Sequence, residues 1–256
     1  MSQRMAGRVA IITGGAGGIG SATGMLFCEQ GASVLLVDRD REACRAAVDA
    51  IGERTDKTRI AAAVLDVGQE AASAEAVSTA IGRFGHLDCI VNNAAVRAYE
   101  PLGEAKSATW HDVLAVNLLS YAFLAREALP ALRHSGAGTI INVSSTYALN
   151  MRAGMGQYDV AKAGIISMTR TLAAEEAKHG VRVNAVCPGY TLTPFHIRRA
   201  EAAGNADPKS DKLSQCLLGR WADPREVAHP ILWLASAEAS YVTGTSIMVD
   251  GGIGAG

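Results

Sequence analysis

Excess charge of either sign is missing from this chain. Its 24 lysines and arginines face 25 acidic residues, which leaves a net charge of −1 at pH 7. A protein that holds nucleic acid mainly through phosphate electrostatics needs a basic excess, so that role is excluded. Also missing is an uninterrupted apolar run of about 18 residues, the length that crosses a bilayer, and no membrane partner is expected. The five cysteines (28, 44, 89, 187 and 216) are scattered and include no C-x-x-C pair. Such usage points to free thiols rather than a disulfide scaffold or zinc site. Six histidines (86, 111, 134, 179, 196 and 229) form neither H-x-x-x-H nor H-E-x-x-H, so no metal centre is expected. No signal-like apolar segment lies between Met1 and Arg8, and a cytoplasmic location is the expectation.

What the chain does have is rhythm. Short β-branched runs occur at Val9–Thr13, Ser33–Val37, Ile60–Leu65, Cys89–Asn92, Thr139–Val143, Val181–Val186 and Ser246–Val249. Each reads as a strand buried on both faces. Helix-length segments lie between them, among them Gly20–Gln30, Arg41–Glu53, Ala71–Phe84 and Gly164–His179. This alternation predicts an α/β fold, a doubly wound parallel sheet with helices on both faces. No linker divides the chain, so one domain over residues 1–256 is expected. The polar stretch from Pro194 to Trp221 breaks the rhythm and reads as a substrate lid at about 190–221, with Leu213, Leu217 and Leu218 as its anchors.

The first strand runs into Thr13-Gly14-Gly15-Ala16-Gly17-Gly18-Ile19-Gly20. Glycines there let the backbone turn tightly against a pyrophosphate, whose charge suits the N–H groups of a helix start. Gly14, Gly18, Ile19 and Gly20 are the expected cofactor contacts. Asp38 ends the second strand, where a carboxylate accepts adenosine ribose hydroxyls and repels a 2′-phosphate. It is also placed to cap the next helix. Arg39 beside it suits a phosphate, but no basic side chain stands within the glycine turn, so NAD is favoured over NADP. Asp66 and Val67, and Asn93 and Ala94, follow later strands and are further cofactor candidates. Each fits a turn or cap role equally well.

Tyr158 and Lys162 are four residues apart, with Ser145 thirteen positions upstream of the tyrosine. A helix places i and i+4 on one face. A phenol with a pKa of about 10 is a poor base at neutral pH, and a nearby cation lowers it. The plain alternative is a solvated Tyr and Lys on an amphipathic surface.

Taken together, the glycine turn, Asn92-Asn93-Ala94, Asn117, Ile141-Asn142-Val143-Ser144-Ser145, Tyr158 with Lys162, Pro188-Gly189 and Val249-Asp250-Gly251-Gly252 resemble the short-chain dehydrogenase/reductase family. The likeness runs over nearly the whole chain. It implies a Rossmann-type seven-stranded parallel sheet in the order 3-2-1-4-5-6-7. It implies Tyr158 as general acid/base, Lys162 binding the nicotinamide ribose and lowering the phenol's pKa, and Ser145 holding the substrate oxygen. Asn117 would position a water, and Pro188, Gly189, Thr191 and Thr193 would lie over the nicotinamide; the threonines also fit as caps before Pro194. The implied activity is NAD(P)(H)-dependent interconversion of a secondary alcohol and a ketone, in a homotetramer. A catalytically silent dinucleotide-binding sensor or scaffold is the alternative, although all four catalytic positions are filled here. The substrate is expected among Val96, Arg97, Tyr147, Leu149, Met151, Arg152, Met155, Gln157, Tyr190, Phe195 and His196. Arg97, Arg152, Arg198 and Arg199 either recognise an anionic substrate or are solvated rim residues.

Overall fold

The computed structural model describes residues 3–150, 152–205 and 207–255. Its seven strands are β1 (Val9–Thr13), β2 (Ser33–Asp38), β3 (Ile60–Val64), β4 (Cys89–Asn92), β5 (Thr139–Val143), β6 (Arg182–Pro188) and β7 (Ser246–Val249). All pair in parallel, in the order β3-β2-β1-β4-β5-β6-β7, as expected. The direction of winding reverses between β1 and β4. A crevice therefore opens at their carboxyl ends, beside Thr13 and Asn92.

Alternate residues of each strand feed two cores. Ile12, Leu36, Val91 and Ile141 face α1 (Gly18–Glu29), α2 (Arg41–Gly52) and α8 (Pro224–Ala235). Ile11, Leu35, Ile90 and Ile140 face α3 (Ala71–Phe84), α5 (Ser120–His134) and α6 (Gly156–Glu176). Both faces are covered, which is why the strands read as unbroken apolar runs instead of alternating ones. The two remaining helices are α4 (Ser107–Leu114) and α7 (Pro194–Ala202). A five-residue π-helical segment, Ala115–Leu119, joins α4 to α5. The continuous stretch Ser107–His134 does have the length and composition of a membrane span. Its Tyr121, Leu124, Ala125, Ala128 and Leu132 are nonetheless buried inside the protein.

Helix α6 begins at Gly156, eight residues before the start expected from the sequence. Glycine is a poor helix former, yet a Cβ at Gly164 would come within 3.2 Å of Leu118. The glycine permits close packing inside a continuing helix, and tertiary contact overrides its propensity. A buried polar chain pins this helix to the sheet. Asn92 Nδ2 donates to Asn142 Oδ1 at 2.9 Å, and Asn142 Nδ2 donates to Thr169 Oγ1 at 2.9 Å. Thr169→Val keeps the volume but leaves a buried amide N–H without its acceptor. We expect a loss of about 1–3 kcal/mol in urea unfolding; an unchanged midpoint would show that the chain contributes nothing.

Candidate active site

A cleft of about 620 Å³ lies at the carboxyl end of the sheet. One half is built from the β1–α1 turn. Gly14 has φ +60°, and a Cβ on it would lie 2.9 Å from the Ala94 Cα. A Cβ on Gly20 would strike the Gly14 carbonyl oxygen. The turn is thus compact enough only for glycine at these points. Asn93 Nδ2 staples it to β4, donating to the carbonyls of Thr13 at 2.9 Å and Gly14 at 3.1 Å. Helix α1 starts at Gly18 with no side-chain cap at Gly17, so its first N–H groups are left to another acceptor. Gly14, Gly18, Ile19, Asn93 and Ala94 all line the cleft. This cradle fits a pyrophosphate.

Asp38 lines the same half, with Oδ2 accepting from the Ala16 N–H at 3.2 Å. It does not cap α2. Asp40 does, accepting from Ala43 N–H at 3.0 Å, so the capping alternative for Asp38 falls away. Arg39 also lines the cleft. Asp66 and Val67 do not: Asp66 closes a local turn onto Gly68 N–H at 3.0 Å, and Val67 packs on the second core. Opposite the glycine turn stand Pro188, Gly189, Thr191 and Thr193. Thr193 occupies the N-cap position of α7 without capping it, because its hydroxyl pairs with His196 Nδ1 at 2.9 Å.

The other half centres on α6. Its buried residues Tyr158, Ala161, Lys162, Ile165, Ile166, Thr169 and Ala173 form one stripe. Tyr158 and Lys162 lie on that stripe, 7% and 1% exposed, so they are not a solvated surface pair. Ser145, two residues past the end of β5, lies beside the Tyr158 phenol in the cleft, and its Oγ accepts from Tyr147 N–H at 3.1 Å. Ser144 instead bonds the Lys162 carbonyl at 2.7 Å and anchors the helix.

Lys162 Nζ donates to the Val143 carbonyl at 2.7 Å and to Tyr121 Oη at 3.2 Å. Burial, followed by repulsion from Arg97, brings its pKa down to about 7. Burial also raises the Tyr158 phenol; Arg97, then Arg152, then the Ser145 hydrogen bond oppose that rise. This differs from the sequence expectation, in which Lys162 lowers the phenol's pKa. The ammonium is itself desolvated and directed at Val143 and Tyr121, with Nζ 5.6 Å from the centre of the Tyr158 ring. Two arginines supply the opposing field.

Asn117 is fully buried within the π segment. Its Oδ1 accepts from Val96 N–H at 2.8 Å and its Nδ2 donates to the Val96 carbonyl at 2.9 Å. The side chain is a clamp on the chain leaving β4, not a free group facing the cleft. Tyr121 escaped the sequence reading. It stands one turn beyond Asn117, and its hydroxyl lies 3.1 Å from the Ala94 carbonyl and 3.2 Å from that of Val143. The i+4 spacing from Asn117 was the available signal.

The 190–221 segment is closed at its base, where Leu192 N–H donates to Ala222 O at 2.9 Å and Ala222 N–H to Tyr190 O at 2.8 Å. Its expected leucine anchors are not confirmed. Leu217 and Leu218 are exposed and Leu213 is half-buried; buried Cys216 and Pro208 and the edge-on and tilted contacts of Trp221 with Tyr190 and His196 hold it instead. Tyr147, from the Ser145 loop, reaches Tyr190 at 2.7 Å between hydroxyls. Val96, Arg97, Tyr147, Arg152, Tyr190, Phe195, His196 and Arg198 line the substrate half. Leu149, Met155, Gln157 and Arg199 do not, and Met151 lies outside the described residues.

A family model described as enoyl-(acyl carrier protein) reductase matches residues 14–254. A 3-oxoacyl-(acyl-carrier-protein) reductase of Thermotoga maritima is 37% identical over 98% of this chain and 99% of its own length. A cis-4-hydroxycyclohexanecarboxylate dehydrogenase of Sinomonas cyclohexanicum is 39% identical over 98% of each chain. An L-fucose dehydrogenase of Mus musculus is 38% identical over 97% of this chain and 89% of its own.

The depressed Lys162 has a measurable consequence. Its folded pKa of about 7 lies below the ordinary 10.5. Between those values the unfolded chain binds more protons, so stability rises with pH. Lys162→Met should flatten that rise in urea unfolding at pH 7, 8 and 9, by at most about 1.4 kcal/mol per pH unit. Parallel curves for both proteins would contradict a desolvated ammonium.

Proposed function

The chain belongs to the short-chain dehydrogenase/reductase family of oxidoreductases, and from that premise we propose that it interconverts a secondary alcohol and a ketone with NAD(H). The observation that carries the reading is the buried Tyr158 phenol, with Ser145 and the Lys162 amine beside it in one cleft. It opens onto the same cleft as the glycine turn and Asp38. Family members bind a nicotinamide dinucleotide, which accepts or gives the hydride when bound. The cradle of Gly14, Gly18 and the α1 start suits its pyrophosphate, and Asp38 suits a ribose with free hydroxyls. Lys162 would hold the second ribose.

In the oxidative direction Tyr158 takes the hydroxyl proton as hydride leaves the carbinol carbon. Ser145 meanwhile steadies the partial negative charge that builds on that oxygen in the transition state. Arg97 and Arg152 favour the phenolate that this step requires. In reduction the phenol returns the proton to the carbonyl oxygen. Relatives named as dehydrogenases of a hydroxy acid and a sugar, and as a 3-oxoacyl reductase, support chemistry at a CH–OH or C=O centre. The homotetramer implied by the family remains part of the proposal, supported by exposed apolar Leu119 and Val160 in the helical layer.

Tyr158→Phe should abolish turnover, with a loss of at least about 100-fold, while NADH binding read by fluorescence stays intact. Substantial remaining activity would remove the tyrosine from the reaction. Asp38→Ala should shift the NAD to NADP ratio of kcat/KM toward NADP; an unaltered ratio would mean that another group selects the cofactor.

A further inference from the structure

Of the four arginines singled out in the sequence, three line the substrate half of the cleft, and the structure separates them. Arg152 is neutralised by Asp159 through a two-point contact at 3.1 and 2.7 Å, and it lies 3.9 Å from the centre of the Tyr147 ring. Arg199 packs on Tyr99 at 4.2 Å, outside the cleft. Arg198 lines the cleft and is exposed, as Arg97 is, but no hydrogen bond, ion pair or aromatic ring among the described residues holds it. Arg97 differs from all three, because it is held beside Tyr158 by aromatic rings and a hydrogen bond, with no carboxylate paired to it among the described residues. Its guanidinium carbon lies 5.8 Å from the centre of the Tyr158 ring and 5.0 Å from that of Phe195. Two aromatic rings thus restrain the cation.

The one hydrogen-bond partner of Arg97 among the described residues is His196, with Nη1 to Nε2 at 2.7 Å. That imidazole is neutral. Burial and then Arg97 itself bring its pKa down to about 4. With Nε2 accepting from the guanidinium, Nδ1 must carry the proton and donate to Thr193 Oγ1, an assignment fixed by the hydrogen bonds. A guanidinium has five N–H donors, and His196 uses one. Among the described residues Arg97 makes no ion pair with a carboxylate. The result is an oriented cation with free donors beside the Tyr158 phenol, in a half of the cleft where Asp159 is already spent on Arg152.

We propose that Arg97 binds a carboxylate of the substrate, so that the alcohol or ketone turned over is a hydroxy acid or oxo acid whose anionic group lies a few carbons from the reacting centre. A planar, two-oxygen anion matches the fork of a guanidinium, and its charge balances Arg97 when it enters. The inference rests on the oxidoreductase reading above and deepens it. His196 and Thr193 act as positioning residues, because they fix the guanidinium without needing to touch the anion.

The test compares 4-hydroxycyclohexanecarboxylate with its primary amide, each with NAD, in the native protein, Arg97→Gln and Arg97→Lys. The ratio of the two kcat/KM values cancels any general effect of Arg97 on Tyr158. We expect the native protein to favour the acid and Arg97→Gln to lower the ratio about 10- to 100-fold. Arg97→Lys should recover part of it, and NADH affinity should hold within about twofold. A second measurement does not need turnover: benzoate should bind the protein–NADH complex more tightly than benzamide, and the difference should vanish in Arg97→Gln. An unchanged ratio, or equal binding of benzoate and benzamide by the native complex, overturns the inference while alcohol turnover leaves the oxidoreductase reading standing. A matching loss of NADH affinity in Arg97→Gln overturns it too, by giving the arginine to the dinucleotide. The oxidoreductase reading fails separately, if the native protein neither binds NADH nor oxidises any neutral secondary alcohol.

Discussion

Burial of the Lys162 ammonium is the constraint on which the site depends. An ammonium at 1% exposure is costly unless its protons find acceptors. Here they find the Val143 carbonyl and the Tyr121 hydroxyl. Those partners come from the end of β5 and from α5, so satisfying one charge requires three elements to converge. Ser144, bonded to the carbonyl of the same lysine, locks the approach of α6. Tyr158, one turn earlier, is thereby carried beneath the cleft with Ser145 beside it. The acid/base geometry follows from satisfying the lysine.

A second consequence concerns the source of the field on the phenol. A helix brings Tyr158 and Lys162 onto one face, which makes the lysine the obvious cation in sequence. In three dimensions its donors turn inward, toward main-chain and tyrosine oxygens. Arg97 and Arg152 arrive from other segments and face the phenol from the substrate side. The reacting group is therefore tuned by residues that also define what approaches it. On the proposal that Arg97 binds the substrate's anion, recognition and proton transfer share that one charge, while Arg152 is already paired with Asp159.

Much of this was legible along the chain. All seven strands lie within two residues of their expected limits, because a parallel sheet buried on both faces leaves dense β-branched runs between helices. The glycine turn was legible because a strand-like run precedes it, a helical run follows it and an acid ends the second strand. Helix α6 was harder: its start reads as Gly164, but it begins at Gly156 and Leu118 packs closely on the glycine inside it. Leu217 and Leu218 looked like anchors because they are apolar, yet they are exposed, and the smaller Cys216 carries the contact. Hydrophobicity marks what can be buried, not what is.

The sequence by itself determined the order of elements, the glycine cradle, and the placing of a phenol, an ammonium and a serine hydroxyl at workable spacing. Local periodicity and backbone chemistry encode such features within a few turns or strands. Only the tertiary structure decided that Asp40 and not Asp38 caps α2, that Asn117 clamps Val96, that Tyr121 receives the lysine, and that Arg152 is paired with a carboxylate while Arg97, among the described residues, is not. Each of these depends on which partner another segment brings within about 3 Å, the reach of a hydrogen bond. No spacing along a single chain fixes that distance.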